Sequence, residues 1–419
     1  MKNSSRFLLV DINSYFATLA QQENPALRGR PVVIVKDLGR TCVIAASKEA
    51  KKLGIKTGTN LHQAKRLAPD LIQIGAEFEL YMSATKKLST IFKQISPQVQ
   101  VYSLDEAFID VSSCRQHLYP NLHQLGRKIQ GQIRQQLGEW VTANVGIAKN
   151  RFLAKMAAEV AKKGSVFEIN AENLDEVLAS VEFADVCGIG LRLGKKLAKL
   201  GVTHPYQIRF YSLSDLEPVF GPFWSRELLK MAYGQEPHHL ALLDQADSAG
   251  QRMKSVSRSI TTWEKVGDLQ AIRRIIRNLT REVIYKARRM KMSGRHLGLY
   301  LLGSDRACWR KRVTFKHALS HTQELMEVFN GWLDKDWQSE FAPIKFVVVL
   351  SLLQPNQELA TSLLPSWHKR ESLEQAIDEI DDRYGLHTVR SGLLHSNKQI
   401  IQPEVTGFLG DKDYQFNYR

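Results

Sequence analysis

Residues 102–112 read YSLDEAFIDVS, and they set two carboxylates, Asp105 and Glu106, side by side in an otherwise apolar, strand-like stretch. A strand buries one face and leaves the other to water, so one acid has an ordinary place in solvent. Adjacent side chains project to opposite faces, so one of the pair points to the buried side unless the backbone bends. A buried carboxylate is costly unless a cation neutralises it. A metal at the end of the strand would satisfy both acids. On local sequence alone, a turn or a salt bridge would serve as well.

The rest of the chain narrows the choice. Its 419 residues make room for about three domains, and a hydrophobic share of 43% suits packed cores. No apolar run approaches membrane-spanning length, and the start, MKNSSRFLLVDINSYF, is too short in apolar residues and too soon broken by an acid for a signal peptide. Cys42, Cys114, Cys187 and Cys308 are scattered without CxxC spacing, which argues against a zinc site or a disulfide framework and fits a reducing cytosol. The net charge of +15 is concentrated: residues 254–312 hold 16 Lys/Arg against 4 Asp/Glu. Such a basic stretch favours a polyanion partner, nucleic acid before a membrane surface. The segment after 356 leans the other way, with 10 acids against 7 bases.

Patterning divides the chain. FLLVDI (7–12) reads as a buried strand ending on an acid, and NSYFATLAQQ follows with helical character. Strands and helices alternate up to about residue 165, which predicts an α/β or α+β domain. VQVYSLDEAFIDVS predicts a hairpin-like strand pair with the acids near its turn. Residues 166–245 read as helical. Within them DVCGIGLRLGKKLAKLGV suggests a helix-hairpin-helix, its glycines Gly188 and Gly190 letting backbone approach a phosphate and Lys195, Lys196 and Lys199 following. QADSAGQRMK (245–254) reads as a linker, and a β-α-β-β-α-β module of ferredoxin-like order follows to 355. RESLEQAIDEIDDRYG in the tail is an amphipathic helix.

If the strand ending on Asp11 neighbours the one carrying Asp105 and Glu106, three carboxylates converge. Two divalent ions could then sit about 3.5–4 Å apart and clamp the oxygens of a phosphoryl transfer. Mg²⁺ suits carboxylates, waters and substrate phosphates, and the Ile12 carbonyl is placed to help. A metal-bound triphosphate also needs cations, which SKEAKK and AEVAKK supply as Lys48, Lys51 and Lys162, with Ser47 at the head of the first. Taken singly, each lysine is an ordinary solvated charge.

VDINSYFA, CVIAASKEAKKLGIKTG, VYSLDEAFIDVS, VGIAKNRFLAK and DVCGIG, in this order, resemble the Y family of translesion DNA polymerases over roughly residues 5–355. SKEAKKLGI is similar to the SOS-mutagenesis catalytic subunit, while GIAKNRFLAK and the last module look more like DNA polymerase IV. The resemblance implies an α+β multidomain right hand: palm (1–16 and 77–165), fingers (17–76), helix-hairpin-helix thumb (166–245), linker (246–253), ferredoxin-like little finger (254–355) and tail (356–419). It implies Asp11, Asp105 and Glu106 as catalytic metal ligands with the Ile12 carbonyl, for two Mg²⁺ with Mn²⁺ as substitute. Phe16 falls at the sugar gate, Tyr15 stacks nearby or packs in the core, and Lys162 falls on the triphosphate lysine. Lys48 and Lys51 stand on the helix where many members have a tyrosine and an arginine, and Cys187 where a proline is common.

The implied activity is template-directed DNA synthesis of low fidelity past damaged bases, without a proofreading exonuclease. The small fingers residues Ala45, Ala46, Ser47, Gly54 and Gly58 would leave room for a lesion. The implied partners are primer-template DNA, dNTPs and a sliding clamp reached through the tail, by Ser362-Leu363-Leu364 or Tyr414-Gln415-Phe416. The chain would act as a cytoplasmic, nucleoid-associated monomer. Arg258, Arg288, Arg289 and Arg310 are the expected duplex contacts of the basic module. The rivals are another palm-type nucleotidyl enzyme, such as a cyclase, and a non-catalytic DNA binder on a palm scaffold. The basic last module and the helix-hairpin-helix speak against the first, and retention of all three acids and Phe16 against the second.

Overall fold

The structure, a computed structural model, describes residues 7–36, 42–114, 121–242, 253–262, 264–305, 307–337, 340–358, 365–385, 387–389 and 391–392. The chain divides into two compact units, Met1–Gly250 and Gln251–Arg419. The division falls inside the stretch that reads as a linker.

The first unit carries strands β1 (Phe7–Ile12), β2 (Val32–Val35), β3 (Val43–Ala46), β4 (Ile72–Gly75), β5 (Val99–Val101), β6 (Glu106–Asp110), β7 (Ala143–Ala148) and β8 (Val166–Glu168). Its larger sheet runs β5-β6-β1-β7-β8, antiparallel except for the parallel β7–β8 pair. FLLVDI and ANVGIA are apolar but for Asp11 and Asn144, because helices cover both faces. Leu8, Val10, Ile12, Ala107, Ile109, Val145 and Ile147 pack on helices Tyr15–Glu23, Phe78–Lys93 and Leu122–Leu137. Phe7, Leu9 and Phe108 face the other way, toward helix Arg151–Val160 and the helices of residues 174–232. The helical segment expected as a thumb therefore shares a core with the central sheet.

That helix can lie so close because β7 has a glycine beneath it. A Cβ on Gly146 would stand 2.0 Å from the Ala154 carbonyl oxygen and 2.4 Å from the Ala158 nitrogen. The smaller sheet, β3-β2-β4, has its own core of Val33, Val35, Val43, Ala46, Ala50, Ile55, Leu61 and Ala64.

The second unit has the expected element order: β9 (Ser255–Thr261), helix Leu269–Arg289, β10 (Met292–Leu302), β11 (Cys308–Leu319), helix Thr322–Asp336 and β12 (Lys345–Pro355). The sheet runs β11-β10-β12-β9 and is antiparallel throughout. Val256, Leu297, Leu299, Leu301, Phe346, Val348 and Leu350 pack against the two helices. Strand alternation turns Ser255, Ser257, Ser259, Arg310, Arg312 and Thr314 to the opposite, exposed face. Part of the acidic tail folds as helix Pro365–Tyr384 and docks on helix Leu269–Arg289. Both expected clamp peptides lie outside the described residues. Among the described residues, no helix is long and apolar enough to cross a membrane.

Candidate active site

Asp11, next to last in β1, faces Glu106 of β6 on one side and Asn144 of β7 on the other. Directly opposed residues of an antiparallel pair share a face, so two carboxylates are held side by side. Asp105 lies in a bend just before β6, and its carbonyl accepts a 3.1 Å hydrogen bond from the Ile12 N–H. The bend removes strict alternation, which resolves the puzzle of adjacent acids.

Burial first, then Glu106 and Asp105, push the Asp11 carboxyl up to about 8. Burial and Glu106 also raise Asp105, against the pull of the Ser103 hydroxyl, which donates to its Oδ1 at 2.5 Å. Lys155 donates to Glu106 and lies 5.1 Å over the Tyr102 ring. Burial would lower this ammonium, but Glu106 more than offsets it and holds Lys155 above its usual range. Glu159, four residues on, is raised by burial, with Glu106 and Asp185 adding to it. As the side chains stand, no group of three or more His, Cys, Asp or Glu among the described residues is gathered closely enough to hold a metal ion. Lys155 and Ser103 occupy two of the acids instead. The residue types still suit a hard divalent cation: Asp11 lies opposite Glu106 and within the field of Asp105, and burial, then neighbouring acids, raise both Asp11 and Asp105.

The other expected residues divide into those near the acids and those engaged elsewhere. Lys51 is lowered by burial and by Lys163, while Asp11, Asp105 and Glu159 pull it back up, so it lies within the field of the acids. Lys48 instead sits 4.4 Å over the Trp140 ring and 3.7 Å from Glu49. Ser47 is fully buried, caps helix Lys48–Lys52 by accepting from the Ala50 N–H at 3.2 Å and donates to the Arg30 carbonyl at 3.3 Å, so its hydroxyl is used inside the fold. Ala46 is likewise in the core, and only Ala45, Gly54 and Gly58 of the expected small set keep exposure.

Ser14 takes a left-handed conformation (φ 52°) between β1 and helix Tyr15–Glu23. Such backbone strain persists only where its surroundings over-determine it. Phe16 stacks on Tyr81 with centroids 4.0 Å apart. Tyr15 is buried and packs in the core, its hydroxyl 2.8 Å from both the Tyr81 carbonyl and Thr85. Lys162 is exposed on the turn after helix Arg151–Val160.

In the glycine turn, Gly188 has φ 93° and leaves no room for a Cβ beside His239, and Gly190 caps helix Leu191–Lys199. Lys195 is exposed, whereas Lys196 donates to the Val219 carbonyl at 2.8 Å.

Three of the four arginines expected to hold duplex are committed within the second unit. Alternation in β9 turns Arg258 inward, 6% exposed, onto Glu282. Arg288 pairs with Glu374 at 2.8 Å and Asp378 at 2.7 Å, and Arg289 pairs with Asp382. The tail's acids answer the basic helix in cis. Arg310 alone stands exposed on the open face, and Arg312 and Lys316 of β11 join it there.

Sequence reasoning missed Lys155, Ser103 and Asn144. Lys155 had a signal, since it is spaced i, i+4 from Glu159 on a helix next to the acids; the other two had none.

Residues 10–159 match the impB/mucB/samB family, and residues 253–363 match that family's C-terminal domain, together more than half of the chain. DNA polymerase IV of Xanthomonas campestris is 30% identical over 324 residues, covering 77% of this chain and 86% of that protein. This chain belongs to the Y family of DNA polymerases. It is a DNA-directed DNA polymerase of the translesion class. DNA polymerase IV of Pelotomaculum thermopropionicum is 28% identical over 392 residues, 91% of the Y-family chain and 93% of that relative. Among solved structures, the Y-family DNA polymerase chimera Dbh-Dpo4(243-245)-Dbh shares the fold with a TM-score of 0.70 at 23% identity, covering 84% of this chain and all of that one. DinB from Sulfolobus solfataricus has a TM-score of 0.54 at 23% identity, with 83% and 98% covered. Helix Pro365–Tyr384 lies beyond both family-model matches.

Proposed function

We propose that this polymerase adds deoxynucleotides to a primer 3′ end at the Asp11, Asp105 and Glu106 cluster, with two Mg²⁺ as cofactors and Mn²⁺ as a substitute. One observation carries the reading: Asp11 of β1 lies opposite Glu106 of β6 and beside Asp105, and burial first, then these two acids, push its carboxyl up to about 8, a cost that a divalent cation would remove. The Asp11, Asp105 and Glu106 carboxylates, with the Ile12 carbonyl, would hold the metals. Bound there, the metals would lower the pKa of the primer hydroxyl and neutralise the leaving pyrophosphate.

The remaining work belongs to the chain itself. Lys51 and Lys162 supply positive charge to the triphosphate. Phe16, held against Tyr81, excludes a ribose 2′-hydroxyl by contact. The open face of the second unit, with Arg310, Arg312 and Lys316, binds duplex phosphates without reading sequence. In the first unit the glycine turn with Lys195 does the same. Residues 1–16 and 77–165 act as palm, 17–76 as fingers, 166–245 as thumb and 254–355 as little finger. The chain works as a monomer in the cytoplasm, and its tail reaches a sliding clamp.

Primer extension on intact and abasic templates with Mg²⁺ tests the reading. Asp105→Ala should abolish incorporation while primer-template binding persists, and Phe16→Ala should raise ribonucleotide incorporation by about tenfold or more. Full activity of Asp105→Ala sinks the metal reading. Unchanged sugar selection in Phe16→Ala sinks the gate.

A further inference from the structure

Asn144 faces Asp11 across the β1–β7 pair, yet its side chain reaches away from that strand pair in three directions. Its Nδ2 donates to the Ala158 carbonyl at 2.9 Å and to the Ala161 carbonyl at 3.4 Å. Its Oδ1 accepts from the Gly164 N–H at 2.8 Å and from Asn13 Nδ2 at 3.2 Å. A carboxamide has two donor hydrogens and two acceptor lone pairs, so the group is fully used. It is 7% exposed, where broken bonds would not be replaced by water.

These partners are not a random set. Ala158 and Ala161 belong to the last turn of helix Arg151–Val160 and its end, where backbone carbonyls lack helical partners. Ala161 and Gly164 bracket Lys162 and Lys163, both exposed, and Gly164 closes the turn at φ 74°. Asn13 leads into the strained Ser14 and the helix bearing Phe16. We propose that Asn144 is a positioning residue for the incoming nucleotide: from its seat beside Asp11 it fixes the lysine turn 161–164 and the Asn13 turn, so that the acids and the triphosphate cations form one rigid frame. Lys163 acts electrostatically on Lys51, so the turn lies where its charge is felt by that residue too. Alanine at 144 would release the turn, and serine would loosen it, without removing any charged group. The inference rests on Lys162 as a triphosphate contact.

The test is single-nucleotide incorporation by the full-length chain, with active enzyme titrated so that misfolded protein does not enter kcat. Asn144→Ala should raise KM for dNTP by about tenfold with kcat within about threefold, because the chemistry keeps its acids while the binding frame loosens. Asn144→Ser, which keeps one donor and one acceptor, should fall between, and it serves as the reading if the alanine variant does not fold. Adding Lys162→Ala to Asn144→Ala should raise KM no further than Lys162→Ala alone. An unchanged KM in the Asn144 variants, with only a lowered melting temperature, overturns the proposal. If Lys162→Ala leaves KM unchanged, Lys162 falls as the triphosphate contact and the proposal falls with it; a raised KM in Lys162→Ala beside an unchanged KM in Asn144→Ala overturns the positioning role alone.

Discussion

Asp11 keeps its proton far up the pH scale because it is buried next to Glu106 and Asp105. Its carboxyl shifts from an ordinary 3.8 when exposed to about 8 in the fold, so in that window the folded chain binds the extra proton. Stability therefore falls as pH rises from about 4 to about 8, and the loss is complete above it. Asp11→Asn removes the buried charge. The variant should melt higher than the parent at pH 8.5 without divalent ions and no higher near pH 4. The gain is about 2–4 °C for each kcal/mol of repulsion relieved in a unit of this size. Equal melting of the two proteins at pH 8.5 would show that the charges are not in conflict. The same proton competes with a cation, since a metal ligand must be deprotonated. Incorporation should saturate at lower Mg²⁺ concentration as pH rises from 6.5 to 8.5, read by Mg²⁺ titration of primer extension. A flat dependence would separate Asp11 from the metal.

Between elements, the decisive contact is the seat of helix Arg151–Val160 on β7. It brings Lys155 to Glu106 and delivers the lysine turn, and it exists because position 146 has no side chain. Gly146→Ala would push a methyl into backbone atoms 2.0 and 2.4 Å away, which no rotamer can relieve. It should cost about 3 kcal/mol or more, seen as a lower denaturation midpoint, and should slow incorporation through Lys155 and the turn. Wild-type stability in Gly146→Ala would mean the helix is not seated there. The strands and helices were legible because their apolar periods are strong: FLLVDI, ANVGIA and IKFVVVLSLL leave little choice. The three acids were legible because a charge inside such a run needs a reason. The contacts that Ser47, Lys48 and Lys196 make within the fold were not legible, for a common cause. Sequence shows a polar group but not its partner, and here the partners are an N-cap, a tryptophan ring and a backbone carbonyl. Asn144 was invisible because its partners lie on three separate segments brought together by the fold.

Across the whole molecule, net charge does not show which basic groups are paired in cis and which face solvent. The basic stretch 254–312 contributes two separate surfaces. Helix Leu269–Arg289 turns Arg281, Arg288 and Arg289 toward Asp381, Glu374, Asp378 and Asp382 of the tail, so its charge is answered in cis. Strand β11 turns Arg310 and Arg312, with Lys316 just beyond that stretch, to solvent on a face that no helix among the described residues covers. Charges already paired release few counterions when DNA arrives, whereas exposed ones release about 0.9 each. Arg310→Ala with Arg312→Ala should therefore weaken primer-template binding and flatten the dependence of log affinity on log salt by about two. Arg288→Ala should leave that slope unchanged and lower the stability of the second unit by about 1–3 kcal/mol, because Glu374 and Asp378 lose a charged partner in a half-buried setting. Fluorescence anisotropy of a labelled primer-template between about 50 and 200 mM salt reads the slopes, and thermal melting reads the stability. A slope lost with Arg288 but kept without Arg310 and Arg312 would mean that the acidic helix leaves the basic helix when DNA binds, and that the tail, rather than the open sheet face, controls access to it.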